Sequence, residues 1–416
     1  MDLFDALAGR NPGLVAAAAA LHQSGELPPD CYVVDVEAVE KNARLVSEAV
    51  EAAGLDTFFE AKEFGRCPPL CALLGRHGFV KALAIDVEEL YALERQGVRV
   101  GHVGHLGQIP SGDVEHVVAD TRPDVITVYS FEKAAEIDAA ARRAGRVQQV
   151  ALRVNGPDDH VPLSIAGGVG EDAAIVLAKA IATLAAVELI GLTTYPVARF
   201  DLARREWVAT ANLATMLRMA ERLERELGTR IGHINAAGNV CAATARLVAD
   251  AGATHCEPGQ AFVGGLVANG FVEQAEVPAI AYVTEVSHLV SETPFVYAAS
   301  MVANATIGIW NALDYDSLHG AISRPGLDPL AGRVRSKPQF FASSDPTAFI
   351  YNAVQPLERF DARVGDTVVF GFRTQLYRTN GARLAVLEGI AEGRPRIAGF
   401  YDRTGNPHAD RTGAPR

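Results

Sequence analysis

The sequence predicts a (β/α)₈ barrel followed by a mostly β domain, and three observations carry that prediction. From residue 31 onward, short β-branched runs alternate with longer segments rich in Ala, Leu, Glu and Arg. Eight such runs lie between Phe58 and Glu257, most of them preceded by segments of helical periodicity, which is the pattern of a parallel barrel. After Gly265 the helical texture fades, and short strands separated by Pro, Gly and Asp replace it. An open doubly wound sheet is the competing arrangement, but no G-x-G-x-x-G follows an early strand.

The elements follow in order. Residues 1–30 form an N-terminal helical segment around the alanine run between Gly13 and Leu21, which lacks a basic start and is too short to span a bilayer. Residues 31–265 form the barrel and residues 266–416 the β domain. A strand at Tyr32–Val36 precedes the barrel and is expected to pair with it. The barrel strands are Phe58–Lys62, Val80–Ile85, Val98–Val103, Val125–Tyr129, Gln149–Val154, Glu188–Thr193, Gly232–Asn235 and Thr254–Glu257. Ala211–Leu227 reads as an amphipathic helix, with its apolar positions three and four apart. In the second domain, Ala279–Val286, Thr367–Phe372 and Leu384–Leu387 read as strands, and Arg324–Gln339 as a loop.

Composition excludes several classes. With 49% hydrophobic and 21% charged residues, the chain can bury a large core. A formal charge of −12 and 7% aromatic residues argue against a nucleic-acid or acidic-membrane partner. Five scattered cysteines do not make a disulfide framework, and Cys67 and Cys71 have no second ligand cluster, so no metal is expected. A cytoplasmic location is expected.

Chemistry concentrates at strand ends, where barrel enzymes place their catalytic groups. Only six lysines stand against 32 arginines. Lys62 closes the first barrel strand and is the one lysine well placed for Schiff-base chemistry; a surface lysine at a strand end is the plain alternative. The last two strands run into Asn235-Ala-Ala-Gly-Asn239 and Glu257-Pro-Gly-Gln260. Each loop carries a glycine where backbone can approach a ligand, at the two strands after which barrels often hold a phosphate. A strand-1 lysine with these loops describes a site for pyridoxal 5′-phosphate (PLP).

The arrangement resembles the fold-type III PLP enzymes, the alanine racemase-like group. Val34-Asp-Val-Glu-Ala-Val-Glu-Lys-Asn42 is similar to that group's opening, and Gly191-Leu-Thr-Thr-Tyr195 to its strand ending beside the cofactor ring. Lys62-Glu-Phe-Gly-Arg66, Gly101-His-Val-Gly-His105, Glu285-Val-Ser-His288 and Gly371-Phe-Arg-Thr-Gln375 look like the YhfX-type branch. The resemblance implies a PLP enzyme acting at Cα of an amino acid, first a racemase or epimerase, alternatively a decarboxylase or lyase, and less readily a non-catalytic PLP carrier. It implies Lys62 as the PLP lysine and catalytic base, and Glu257 at the pyridine nitrogen, where alanine racemases have arginine. Asn235, Gly238, Asn239, Gly259 and Gln260 fall around the phosphate end. Arg153 and His160 lie near the cofactor's phenolic oxygen and the substrate carboxylate. Tyr195 stacks on the ring or serves as acid/base, and His105 lines the pocket. His102 and His105, three apart at a strand end, are not expected to face one way. Racemases take a second base, a tyrosine, from the β domain of a partner subunit; Tyr297, Tyr315 and Tyr351 are candidates by residue type, and a homodimer is expected.

Overall fold

The computed structural model describes residues 2–161, 165–301, 317–337, 353–358, 361–374, 376 and 383–408. A ten-stranded sheet forms the barrel. Parallel neighbours run from Phe59–Glu60 through Ala82–Ala84, Val100–Val103, Val125–Val128, Gln148–Asn155, Val187–Thr194 and His233–Val240 to His255–Pro258. The last of these pairs with Asp56–Thr57. The first stave is therefore broken at Phe58, and its halves pair to opposite sides, Thr57 with Cys256 and Phe59 with Ala82. That break closes the ring. Strands such as Val125–Val128 are buried at every position, as expected of a sheet covered on both faces.

The surrounding helices carry local signals that explain their limits. Val36–Ala52 is capped by Asp35, whose side chain accepts from the Ala38 amide, and it buries Val39, Asn42, Ala43, Val46 and Val50 on one face. Ala211–Leu227 is capped by Thr210 and stops at Gly228, at a φ of 66°. Its buried face holds Leu213, Met216, Met219, Ala220 and Leu223; each large side chain so covered contributes roughly 1.5–3 kcal/mol.

The second sheet corrects the sequence reading in two places. Its main path runs Arg333–Ser336, Leu318–Ser323, Thr367–Gly371, Ile280–Val290, Cys31–Asp35, Arg383–Glu388, Arg396–Asp402. Cys31–Asp35 thus lies in this sheet rather than against the barrel, antiparallel to Ile280–Val283 and parallel to Arg383–Leu387. Both of its faces are covered, which suits a central strand: Tyr32 and Val34 face the main core, whereas Cys31 and Val33 face the N-terminal helices. Within the stretch expected to be a loop, Arg333–Ser336 is a strand, paired antiparallel to Leu318–Ala321.

Helices Leu3–Arg10 and Pro12–Gln23 lie over the second sheet, burying Phe4, Leu7, Leu14 and Val15 against Val283, Val369 and Ala385. The approach is close. A Cβ on Gly371 would sit 2.9 Å from the Phe4 Cα, so the strand end leading to Phe372-Arg373-Thr374 requires glycine there. Among the described residues, no helix is long and apolar enough to cross a membrane.

Candidate active site

The C-terminal ends of the barrel strands converge on one mouth. Lys62 lies just past its strand rather than on it: the strand ends at Glu60, and Lys62 opens a single 3₁₀ turn, Lys62–Phe64, closed by Gly65 at a φ of 65°. The lysine is 8% exposed. Its ammonium binds the Glu60 carboxylate and lies 3.5 Å from Glu63 Oε1. Burial by itself would lower the Lys62 ammonium, but the charges of Glu60, Glu63 and Glu89 outweigh it and hold it well above the ordinary lysine value. Burial raises Glu60 from the usual carboxylate range, with Lys62 pulling it back and Glu63 and Glu257 pushing it further up.

Glu257 is the hub of the opposite wall. Its Oε1 accepts from His102 Nδ1 and from Asn235 Nδ2, both at 2.7 Å. His102 Nε2 meets Thr127 Oγ1 at 2.7 Å, so in the neutral ring the threonine hydroxyl donates and leaves Nδ1–H for Glu257. Asn235 also donates to Thr193 Oγ1 at 3.0 Å, and that oxygen lies 3.0 Å from His105 Nδ1. Burial opposes ionisation of Glu257, but the facing His105 and the N–H donors of His102 and Asn235 outweigh it and keep the carboxyl well below its ordinary range. His102 and His105 therefore do face the same carboxylate, against expectation. The strand ends at Val103, and Gly104, at a φ of 86°, turns the chain back so that His105 points inward. One ligand atom from each of His102, His105 and Glu257 fits within 4.8 Å. The 2.7 Å contact between His102 and Glu257 is a hydrogen bond, shorter than the ~3.3 Å that separates two ligand atoms on a tetrahedral ion.

Several buried polar atoms at this mouth have no hydrogen-bond partner among the described residues: Glu257 Oε2, Glu63 Oε2, His105 Nε2, Asn235 Oδ1, Gln260 Oε1, and Nε and Nη2 of Arg153. Arg153 is fully buried, and its Nη1 reaches only the His105 carbonyl and the Tyr129 hydroxyl, each at 3.4 Å. Orphaned groups of this kind are rare in folded proteins unless a ligand satisfies them. Two glycines keep the backbone open. A Cβ on Gly238, at a φ of 92°, would lie 2.7 Å from the Tyr195 ring, and one on Gly259 would lie 2.7 Å from Glu60 Oε2.

The remaining sequence candidates divide. Tyr195 is half-buried, edge-on to the His105 ring with centroids 6.4 Å apart, and burial raises its phenol. Gln260 donates to the Thr374 carbonyl at 3.0 Å, tying the barrel mouth to the second sheet. The Asn239 side-chain amide is used structurally, donating to the Ala198 carbonyl at 2.8 Å. His160 is exposed on a loop held through its backbone by Asn212, whose amide also bonds the Tyr195 carbonyl. Tyr297 is 39% exposed on the strand Thr293–Tyr297 of the second sheet. Tyr315 and Tyr351 lie outside the described residues.

Sequence reasoning missed Glu60, Glu63 and Thr193. The first had a usable signal, because strand residues two apart share a face and Glu60 precedes Lys62 by two.

Two buried rings each make a contribution to stability whose pH dependence has a definite sign. Burial lowers His105 to about 3, with the Glu257 carboxylate opposing it and Arg153, His102 and Lys62 adding to it, and burial with His255 and His102 lowers His233 to about 2. Unfolded histidine titrates near 6.5, so the unfolded chain binds more protons below that value. Stability is then lost as pH falls below about 6.5, by roughly 1.4 kcal/mol per pH unit for each ring. The raised carboxyls of Glu60 and Asp35 act in the opposite direction over the same interval, so the ring is read by difference: relative to wild type, the urea midpoint of His233→Gln is expected to rise as pH falls from 7 to 5. A difference that ignores pH over this interval contradicts the burial of the His233 ring.

A family model described as alanine racemase, N-terminal domain, matches residues 34–267. The uncharacterized protein YhfX of Escherichia coli (strain K12) is 31% identical over 402 residues, covering 97% of this chain and 98% of its own. Among solved structures, D-threonine aldolase from Filomicrobium marinum superposes with a TM-score of 0.66 at 16% identity, over 91% of this chain and 96% of the other. Alanine racemase of Clostridium difficile 630 gives 0.58 at 13% identity, over 91% and 99%. A lysine-bearing barrel mouth, a second β sheet that closes on it, and these matches place the chain in the alanine racemase-like, fold-type III family of PLP enzymes, in the branch of YhfX.

Proposed function

We propose that this chain is a PLP-dependent enzyme acting at Cα of an amino acid, as a racemase or epimerase. One observation carries the reading. Lys62 and an ionised Glu257 share a mouth ringed by buried polar atoms, Glu257 Oε2 among them, that have no partner among the described residues. The donor set suits PLP: a carboxylate for the pyridine nitrogen, the free N–H groups of Arg153 for the phenolic oxygen, and a lysine amine for the aldehyde carbon. The backbone at Gly238, Asn239 and Gly259, with Gln260, would hold the phosphate. Bound there, PLP supplies an electron-withdrawing ring that stabilises negative charge at the substrate Cα.

Lys62 serves as attachment point and moves the Cα proton on its own face. Glu60 and Glu63 hold the Lys62 ammonium, and the raised carboxyl of Glu60 receives its proton when the amine must be neutral. Tyr195 supports the ring side. Tyr297, exposed in its own chain, is assigned to the opposite face of the partner's site in a symmetric homodimer. The five unpaired cysteines suit a cytoplasmic setting. A decarboxylase or lyase is the second reading, favoured by Glu257 itself, since a carboxylate at the pyridine nitrogen keeps it protonated and strengthens the electron sink. A carrier role is disfavoured by the second sheet, whose Thr374 carbonyl reaches Gln260 at the mouth.

Incubation with L- and D-amino acids in D₂O tests the reading. Deuterium at Cα from both enantiomers is expected, from a dimer in sedimentation. Release of CO₂ or ammonia selects the second reading, and absence of any exchange overturns both.

A further inference from the structure

The opposite end of the barrel, where the strands begin, holds a cavity of about 1210 Å³. Five cations line it, Lys81, Arg99, Arg122, Arg146 and Arg230, against the three carboxylates of Asp56, Asp124 and Glu188. That is a formal excess of two positive charges on a chain whose net charge is −12.

The carboxylates do not neutralise the cations evenly. Both oxygens of Asp124 are taken, one by Lys81 and the other by Arg99 at 2.6 Å. The side chains of Arg122 and Arg230 meet no hydrogen-bond or ion-pair partner among the described residues. Arg146 spends one N–H on the Val118 carbonyl at 2.9 Å. Burial and the charge of Arg122 both lower the Arg146 guanidinium, with Asp124 acting the other way, so two like charges face each other in a partly dry place. At the floor, His233 is 6% exposed, and its Nε2 is buried without a partner. Its ring lies 3.9 Å from that of His255, which also lines the cavity.

A guanidinium pair that no carboxylate bridges, together with a buried ring nitrogen that has no partner among the described residues, suits an anion. We propose that this mouth binds a small phosphate dianion, either inorganic phosphate or a phosphate monoester. A phosphate group carries about −1.5 to −2 charges at neutral pH, which matches the excess. Its oxygens suit the guanidinium forks of Arg122, Arg146 and Arg230 and a ring N–H from His233. A carboxylate would cancel only half the excess. The site lies at the start of the strands and the PLP residues at their ends, so it is separate from the cofactor's own phosphate pocket and does not rest on the PLP reading.

Calorimetry provides the test, on the whole chain loaded with PLP at the other mouth and then freed of unbound PLP by gel filtration. Inorganic phosphate and adenosine 5′-monophosphate are titrated separately. Saturable binding of at least one is expected, with a dissociation constant of about 1 mM or tighter. If phosphate saturates the site alone, the ligand is the free ion; if only the nucleotide does, the ligand is an ester. The double variant Arg122→Ala/Arg230→Ala, which changes two exposed side chains that the fold does not use, is expected to weaken binding by about tenfold or more. The absence of saturable heat from either ligand up to about 10 mM overturns the proposal. So does binding that the double variant leaves unchanged.

Discussion

Lys62→Ala is expected to abolish covalent capture of PLP and to lower Cα proton exchange by about 10⁴-fold, the upper range for loss of one positioned proton-transfer group. Borohydride reduction of the PLP-treated wild type, followed by peptide mapping, should place the label on Lys62. A label on Lys41, Lys81, Lys133, Lys179 or Lys337 would refute the assignment. The alanine variant has a second consequence. It leaves the Glu60 and Glu63 carboxyls buried beside each other with no cation, and unpairing a buried charge typically costs about 3–5 kcal/mol. Lys62→Arg separates the two effects. Arginine keeps the positive charge between the carboxylates but cannot capture the aldehyde. Near-normal stability with exchange still lost is the expected result, and recovered exchange in Lys62→Arg would exclude a covalent role.

Glu257→Gln is expected to leave PLP binding largely intact and to lower Cα exchange by about 10²-fold or more, equivalent to roughly 3 kcal/mol. The amide oxygen can still accept from His102 and Asn235, so the wall around it should hold. The change falls on the other atom. The free Oε2, an acceptor that favours a protonated pyridine nitrogen, is replaced by an N–H that favours an unprotonated one. Negative charge at Cα then loses its strongest sink. Glu257→Arg sharpens the test by recreating the group found in alanine racemases, and it should suppress decarboxylation or elimination more than racemisation. Unchanged turnover in Glu257→Gln would mean that this carboxylate does not touch the ring.

The barrel was legible because its signal is local. Each strand–helix unit carries its own periodicity and caps, as Asp35 and Thr210 do for their helices. The place of Lys62 at the barrel mouth was legible by elimination among six lysines, and that of Glu257 through the family resemblance. What escaped depends on contacts between distant segments. The inward turn of His105 depends on Gly104, whose Cβ would come within 2.6 Å of the Thr127 carbonyl of the neighbouring strand. The strand Cys31–Asp35 reads locally as buried on both faces, but nothing near it in sequence shows that its partners are Ile280–Val283 and Arg383–Leu387. Asn239, read as a phosphate residue, turned out to spend its amide on Ala198, a bond between two loops that no motif encodes.

That central strand also sets an order of events during synthesis. Cys31–Asp35 leaves the ribosome first among the strands of its sheet, yet its two neighbours are made some 250 and 350 residues later. At about 5–20 residues per second, the nascent chain carries an unpaired apolar strand for tens of seconds. Its sequence, Cys-Tyr-Val-Val-Asp, is the kind of edge that seeks stray β partners. The helices Leu3–Arg10 and Pro12–Gln23 precede it and cover its Cys31 and Val33 face in the finished fold. Among the described residues that surround the strand, these helices are already synthesised when it emerges. The N-terminal thirty residues can thus shield the growing chain from aggregation until the last strands arrive.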